Sequence, residues 1–304
     1  MIYLAVYIAE HNAFVTRKLM NKSIKITLVS GLVLGTVSAK AQIIYSNNAN
    51  PGDNFTNAGG TAANQMLSNF AGPSGEAATY RETKNNGTIG INTNLARSGN
   101  GSAWISTDGT TNGKSEIALS TAFTAAGDSN GSLGSFDSLS AFGVDLYTQS
   151  SSVSNLAAIV RLELFSATDG GGKYGQLVFD TTWNPGHFGT FAFGQWNTED
   201  FMANAGSMWF RGSSSLGATY DPSGSERTLA DWMSTLNGKG YQVLSMNAGM
   251  GSSNTVFQGA VDNFKLGFGG SNKTYNFEAV PEPASICAIG LGILALIRKR
   301  RSAK

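Results

Sequence analysis

Cysteine occurs once in the 304 residues and histidine twice. A single thiol cannot close an internal disulfide or furnish a Cys-rich zinc site. Two imidazoles restrict acid–base and metal chemistry almost as severely. Charge is also sparse: 13% of the residues are charged, 21 basic against 20 acidic, for a formal total of +1. That balance removes the electrostatic argument for a nucleic-acid partner, which rests on a basic excess. Apolar residues are not lacking. At 41% hydrophobic, a chain of this length can build a core, which excludes global disorder.

The near-zero total conceals a segregation. Residues 1–42 hold five basic residues and one acid, and residues 281–304 hold five basic residues and Glu282 alone. The body, 43–280, is left with 11 basic and 18 acidic residues, a formal charge of −7. Both basic ends carry address-like patterns. Lys18, Lys22 and Lys25 precede an apolar run from Ile26 to Val37, and Ala39-Lys40-Ala41 comes after it. A positive flank, about a dozen apolar residues and a small-x-small site are the three parts of a secretory signal peptide, with cleavage expected after Ala41. Residues 1–19 extend further ahead of the lysines than such signals do, so Met20 is a second candidate start.

At the other end, Val280-Pro281-Glu282-Pro283 leads into Ala284–Ile297 and then Arg298, Lys299, Arg300 and Arg301. Fourteen residues as a helix reach about 21 Å, short of the roughly 30 Å hydrocarbon layer. The cationic cluster extends that reach by snorkelling and holds the end on the cytoplasmic side. The order of tripeptide, short apolar segment and basic end resembles the PEP-CTERM sorting signal of bacterial exported proteins. The resemblance covers the last 24 residues or so. It implies recognition by a membrane-embedded exosortase, removal of the tail, and delivery to the cell surface or extracellular matrix. Pro281 and Pro283 suit such a substrate, since each removes a backbone donor and keeps the strip extended. Cys287 lies inside the tail, so the released body would carry no cysteine.

The body reads as β. Ala158–Phe165 alternates cleanly, with Ile159, Arg161, Glu163 and Phe165 on one parity and Val160, Leu162 and Leu164 on the other. Ser138–Tyr147 alternates less strictly. Further strands are expected over 176–182, 189–196, 207–211, 241–246, 256–268 and 274–277, separated by glycine-rich turns such as Gly269-Gly270. Many short strands joined this way imply an all-β, antiparallel sandwich or jelly roll. One segment is different: Leu229, Trp232, Met233 and Leu236 fall at helical spacing, with Ser225 as the expected cap and Gly238 as the stop. The expected organisation is a signal helix in 1–41, a β-sandwich with one short covering helix over 42–279, and a sorting tail over 280–304 whose hydrophobic helix, 284–297, crosses the membrane until processing. Residues 43–135, richer in Gly, Asn, Ser and Thr, are expected to supply the first strands with long loops.

Phe257–Leu266, with Asp262-Asn263 inside it, and Tyr275-Asn276-Phe277-Glu278 are similar to the closing strands of lectin-like or carbohydrate-binding β-sandwich domains. In that reading the Asp-Asn pair ends a strand and orders a loop. Catalytic constellations are scarce. His187, in a Pro-Gly-His-Phe-Gly turn, has no Gly-x-Ser-x-Gly elbow beside it. A glycosidase needs only two carboxylates, and Glu163 with Glu199 or Asp200 is the available combination, though no spacing selects it. Asp128-Ser-Asn130-Gly131 begins like a calcium loop but lacks the distal Glu, and turn chemistry accounts for it better. No cofactor is implied; a structural calcium held by several loops stays open. Of the five tryptophans, Trp232 belongs to the helix's buried face. Trp183-Asn184 and Trp196-Asn197 pair an aromatic plane with an amide that reads hydroxyls, which is sugar-binding chemistry, although core filling competes for the same residues. Two exposed tryptophans on one concave sheet face would favour binding, and five interior ones would count against it. The resulting expectation is a non-enzymatic exported protein with affinity for polysaccharide, against a secreted polysaccharide-active enzyme or a purely structural module.

Overall fold

A computed structural model describes residues 41–109, 112–124, 128–169, 172–184, 191–203, 206–212, 226–251 and 256–282. The chain divides into compact units 1–40 and 41–304, and the strands all belong to the second. The signal segment with Ala39, the turn carrying His187, and the tail from Pro283 through Arg298, Lys299, Arg300 and Arg301 lie outside the described residues. Ala41 is the first described residue.

Among the described residues, seventeen strands, numbered in chain order, fall into two sheets. The first contains β1 (Gln42–Ala49), β2 (Phe55–Asn57), β5 (Gly87–Asn92), β6 (Ser102–Thr107), β9 (Leu139–Ser151), β12 (Trp196–Asp200), β16 (Phe257–Phe268) and β17 (Ser271–Val280). The second contains β3 (Ala63–Met66), β4 (Ala77–Lys84), β7 (Lys114–Ser120), β8 (Gly134–Ser135), β10 (Ile159–Ser166), β11 (Lys173–Phe179), β13 (Ser207–Gly212), β14 (Arg227–Thr228) and β15 (Gln242–Met250). The sheets form a β-sandwich whose core fills from alternate residues of both inner faces: Ile105, Val144, Leu146, Val261 and Phe277 from the first, Tyr80, Ile117, Leu162, Leu177 and Met246 from the second.

Pairing is antiparallel throughout except at one edge, where β1 lies parallel to β17 with Gln42 opposite Tyr275 and Ala49 opposite Val280. The first sheet also forks. β16 keeps β9 along one side, but its other side pairs with β6 over Phe257–Val261 and with β17 over Phe264–Phe268. The switch occurs at a bulge, where three steps along β16 from Asp262 to Lys265 face two along β9 from Asp145 to Gly143. Asn263 takes the left-handed conformation there, with φ of 51°, a region that Asn tolerates better than most residues. Asp262-Asn263 therefore sits inside a strand instead of ending one.

Other sequence expectations shift more modestly. Residues 43–135 supply strands to both sheets. β12 begins at Trp196, where the expected strand was to end. The helix, α1 (Leu229–Leu236), is capped by Thr228 and not by Ser225. Asp231, three residues on, decides the cap: its amide donates to Thr228 Oγ1 at 3.2 Å, and that hydroxyl donates to Asp231 Oδ2 at 2.7 Å. Trp232 is buried and its indole donates to the Met208 carbonyl at 2.8 Å, fastening α1 to β13. Among the described residues no helix is long and apolar enough to cross a membrane.

Candidate functional site

Because side chains alternate across a strand, the outer face of the first sheet carries whatever the inner face does not. Cross-strand register lines these residues up in rows. Gly90 of β5 faces Trp104 of β6, which faces Ala260 of β16, then Tyr147 of β9, then Trp196 of β12. The three aromatic residues are half-buried, while their neighbours Ala103, Ile105 and Leu146 point into the core. Tyr147 and Trp196 lie with ring centroids 5.4 Å apart and planes tilted by 56°. From β6 to β12 the row crosses three inter-strand steps, roughly 14 Å at ~4.8 Å per step. Ala260 leaves low ground between Trp104 and Tyr147, and Gly90 leaves it beyond Trp104, so the row is an undulating strip.

Polar rows flank it. On one side Thr56, Thr88, Ser106, Gln258 and Ser150 stand in register across five strands. Thr56 and Thr88 hydroxyls are 2.8 Å apart, and Ser150 Oγ donates to Gln258 Oε1 at 3.4 Å. On the other side Asp262, Asp145 and Thr198 form the next row. Asp145 accepts from Thr198 Oγ1 at 2.6 Å, from Asn263 Nδ2 at 2.7 Å and from Arg97 Nε at 3.0 Å. The Arg97 guanidinium reaches over Trp196, 5.9 Å from the ring centroid.

The loop from Thr93 to Gly101 puts Arg97 there, and the fork in the sheet positions the loop. Ser98 donates its amide to Asp262 Oδ2 at 3.3 Å and receives Asn263 Nδ2 on its hydroxyl at 2.8 Å. Its carbonyl accepts from Asn276 Nδ2 at 2.9 Å, and the Asn100 amide donates to Glu278 Oε2 at 2.6 Å. Asp262 itself is fully buried. Burial pushes its carboxyl up to about 7, against the amides of Phe277, Asn263 and Ser98, which pull it down.

The outer face of the second sheet is of another kind. Arg81 of β4 sits between two carboxylates, with Nε 2.9 Å from Glu116 and Nη2 3.0 Å from Glu163, and Arg161 bonds the other oxygen of Glu116 at 2.8 Å. All three members of the Arg81 triad are buried. Burial raises the Glu163 carboxyl, but the Arg81 charge together with the hydrogen bonds from Arg81 and Ser245 outweighs it, and the group is held below its usual range. Ser245 and Gln176 also donate to Glu163, at 2.8 and 3.2 Å. At the centre of this face the Asn247 side chain is buried with neither of its polar atoms hydrogen-bonded.

Of the residues singled out from sequence, Trp196 lies in the aromatic row, whereas Asn184 and Asn197 are engaged elsewhere. Asn184 is buried near the second sheet, donating to the Asp180 and Ser207 carbonyls at 2.8 and 3.1 Å and accepting the Ser207 amide at 2.6 Å. Both ends of that side-chain amide are directed at backbone. Asn197 donates to the carbonyls of Ala192 and Gln195, both at 3.1 Å, holding the turn ahead of β12. Trp183 ends a 3-10 turn, Thr181–Trp183, that is joined to Asn184. Trp104, Tyr147, Arg97 and Asp145 were missed. The alternation in Ser102–Thr107 marks Trp104 as outward-facing, but nothing local says which strand lies beside it. Glu163 and the pair Glu199-Asp200 fall on different sheets, and Asp200 spends one oxygen on the amides of Met202 and Ala203. Beside Asp128, the Thr124 amide donates to the Asp128 carbonyl at 2.8 Å and the Asp128 amide donates to Thr124 Oγ1 at 3.1 Å. Among the described residues there is no group of three His, Cys, Asp or Glu side chains able to hold a metal.

Residues 279–301 match the model of the PEP-CTERM protein-sorting motif. That motif marks an exported protein destined for the surface or the extracellular space. No curated protein matches the chain. Similar solved structures include a family 11 carbohydrate-binding module from Clostridium thermocellum in complex with a β-1,3-1,4-mixed-linked tetrasaccharide, with 14% identity, a TM-score of 0.32, and coverage of 72% of this chain and 98% of that one. Another is the family 11 module of a cellulosomal cellulase of the same organism, with 14% identity, a TM-score of 0.31, and coverage of 71% and 96%.

Proposed function

We propose that this is an exported surface or matrix protein, non-enzymatic, whose β-sandwich binds polysaccharide along the outer face of the first sheet. Before processing, an exosortase-type enzyme reads the C-terminal motif while segment 284–297 holds the chain in the membrane, after a signal peptide ending at Ala41 has been removed. The observation that carries the binding assignment is the row Trp104–Tyr147–Trp196. Half-exposed rings offer apolar planes to the faces of sugar rings, and the flanking Thr88, Ser106, Gln258, Ser150 and Thr198 supply donors and acceptors for hydroxyls. Arg97 is neutralised by Asp145, so the strip has no surplus charge to attract a polyanion. A neutral, linear polysaccharide lying across the strands fits this surface.

Affinity electrophoresis of the full chain in gels cast with neutral and acidic polysaccharides tests the assignment. Trp196→Ala and Trp104→Ala should each weaken retention about tenfold, the usual loss for a central aromatic contact. Trp209→Ala, on the outer face of the other sheet, should leave retention unchanged. Retention that survives both first-sheet substitutions removes the proposal, as does release of soluble sugar from the polymer.

A further inference from the structure

β17 runs straight into the sorting motif. The strand extends to Val280 and the matched stretch starts at Ala279, so the motif opens inside the sheet. Ala279 is buried. Val280 stands opposite Ala49, donates its amide to Ser46 Oγ at 2.9 Å and accepts the Asn50 amide on its carbonyl at 2.9 Å. Two residues further, Asn50 Nδ2 donates to Glu282 Oε1 at 3.2 Å. Glu282 is the middle residue of the sorting tripeptide.

The corner that carries Asn50 is rigidly built. Below it, the buried Asp53 carboxylate accepts from the amides of Asn47 and Asn48 at 2.8 and 2.9 Å, from Asn48 Nδ2 at 2.7 Å, and from the Tyr80 hydroxyl at 2.6 Å. Gly52 turns the chain with φ of 102°, and a side chain there would collide with the Ile91 carbonyl. Asn48, Asn50 and Pro51 stay exposed on this support. At most ~3.6 Å of chain per residue separates Glu282 from the end of the strand. An enzyme that grips the tripeptide must therefore meet the corner as well.

We propose that the corner Asn48–Gly52 and the end of β17 form one docking surface for the membrane-embedded processing enzyme, with Asn50 as the positioning residue that aims Glu282. The surface offers the exposed Asn50 side-chain amide beside a single carboxylate. It suits a partner that presents a cation to Glu282 and oxygen acceptors beside it. This inference rests on the sorting half of the proposed function and is independent of polysaccharide binding.

The test uses the full chain, expressed in a bacterium with an exosortase-type enzyme, and tracks loss of the tail by intact mass over time, with thermal unfolding as the control for folding. A four-residue Gly-Ser insertion between Val280 and Pro281 separates motif from corner without touching the sheet. It should slow tail release about fivefold, the equivalent of roughly 1 kcal/mol. Asn50→Ala should have a similar effect and Asn50→Gln should restore part of the rate, while the unfolding temperature stays the same. Unchanged or faster release from the folded insertion variant overturns the proposal, because the tripeptide is then read alone. Glu282→Gln separates the two levels: if tail release in the parent chain is absent or indifferent to this change, the sorting assignment itself falls.

Discussion

The two outer faces of the sandwich are built from the same alternation and carry different chemistry. On the first sheet, half-exposed rings stand between rows of hydroxyls and amides, and the ion pair Arg97–Asp145 is open to solvent on its arginine side. On the second, the charges of Arg81, Glu116 and Glu163 are buried against one another. A buried ion network whose charges are paired with one another offers little to a partner, whereas an aromatic strip loses nothing by being covered. Charge density alone is thus a poor guide to the surface proposed here to bind polysaccharide.

The largest expected break in the comparison is Arg81→Met. It strands Glu116 and Glu163 without their shared cation and should cost about 3–5 kcal/mol in urea unfolding. Trp104→Ala on the other face should cost far less stability and most of the polysaccharide affinity. Next comes pH. Asp262 has a raised folded pKa, about 7, while an unfolded Asp ionises near 4. Between those values the folded state holds the extra proton, so stability falls as pH rises, by up to roughly 1.4 kcal/mol per unit. Asp262→Asn should flatten that slope in unfolding measured from pH 5 to pH 7. Glu163 has the opposite sign: its lowered folded pKa gives stability that is present above the unfolded value and lost as pH falls through the folded one. Its effect should appear only at more acidic pH. The smallest change is Asn247→Leu, which replaces a buried amide without partners by an apolar group and should raise stability by about 1 kcal/mol, read as a higher unfolding temperature.

Legibility from sequence tracked the range of the interactions involved. Strand β10 was readable from Ile159 to Phe165 because its alternation is local, and α1 because Leu229, Trp232 and Leu236 repeat at helical spacing. The cap moved from Ser225 to Thr228 through a reciprocal bond with Asp231 that a single-residue rule overlooks. Asp262-Asn263 was placed at a strand end on turn chemistry alone. Its place inside β16 depends on β6 and β17 sharing one edge, which pairing decides and composition does not. The aromatic row depends on pairing too: Trp104, Tyr147 and Trp196 are 43 and 49 residues apart in sequence and become neighbours only through register. Asn184 and Asn197 had suitable chemistry, yet nearby backbone groups claimed both amides.

The pairing of β1 with β17 also sets an order of events. Among the described strands, β17 is the one partner β1 has, and more than 220 residues separate them. As the chain is made, β1 must wait, its edge unsatisfied, until β17 follows it. Contacts this distant form late and slowly. The sheet is sealed by its own first and last segments, so a chain truncated before β17 is left with an open, sticky border.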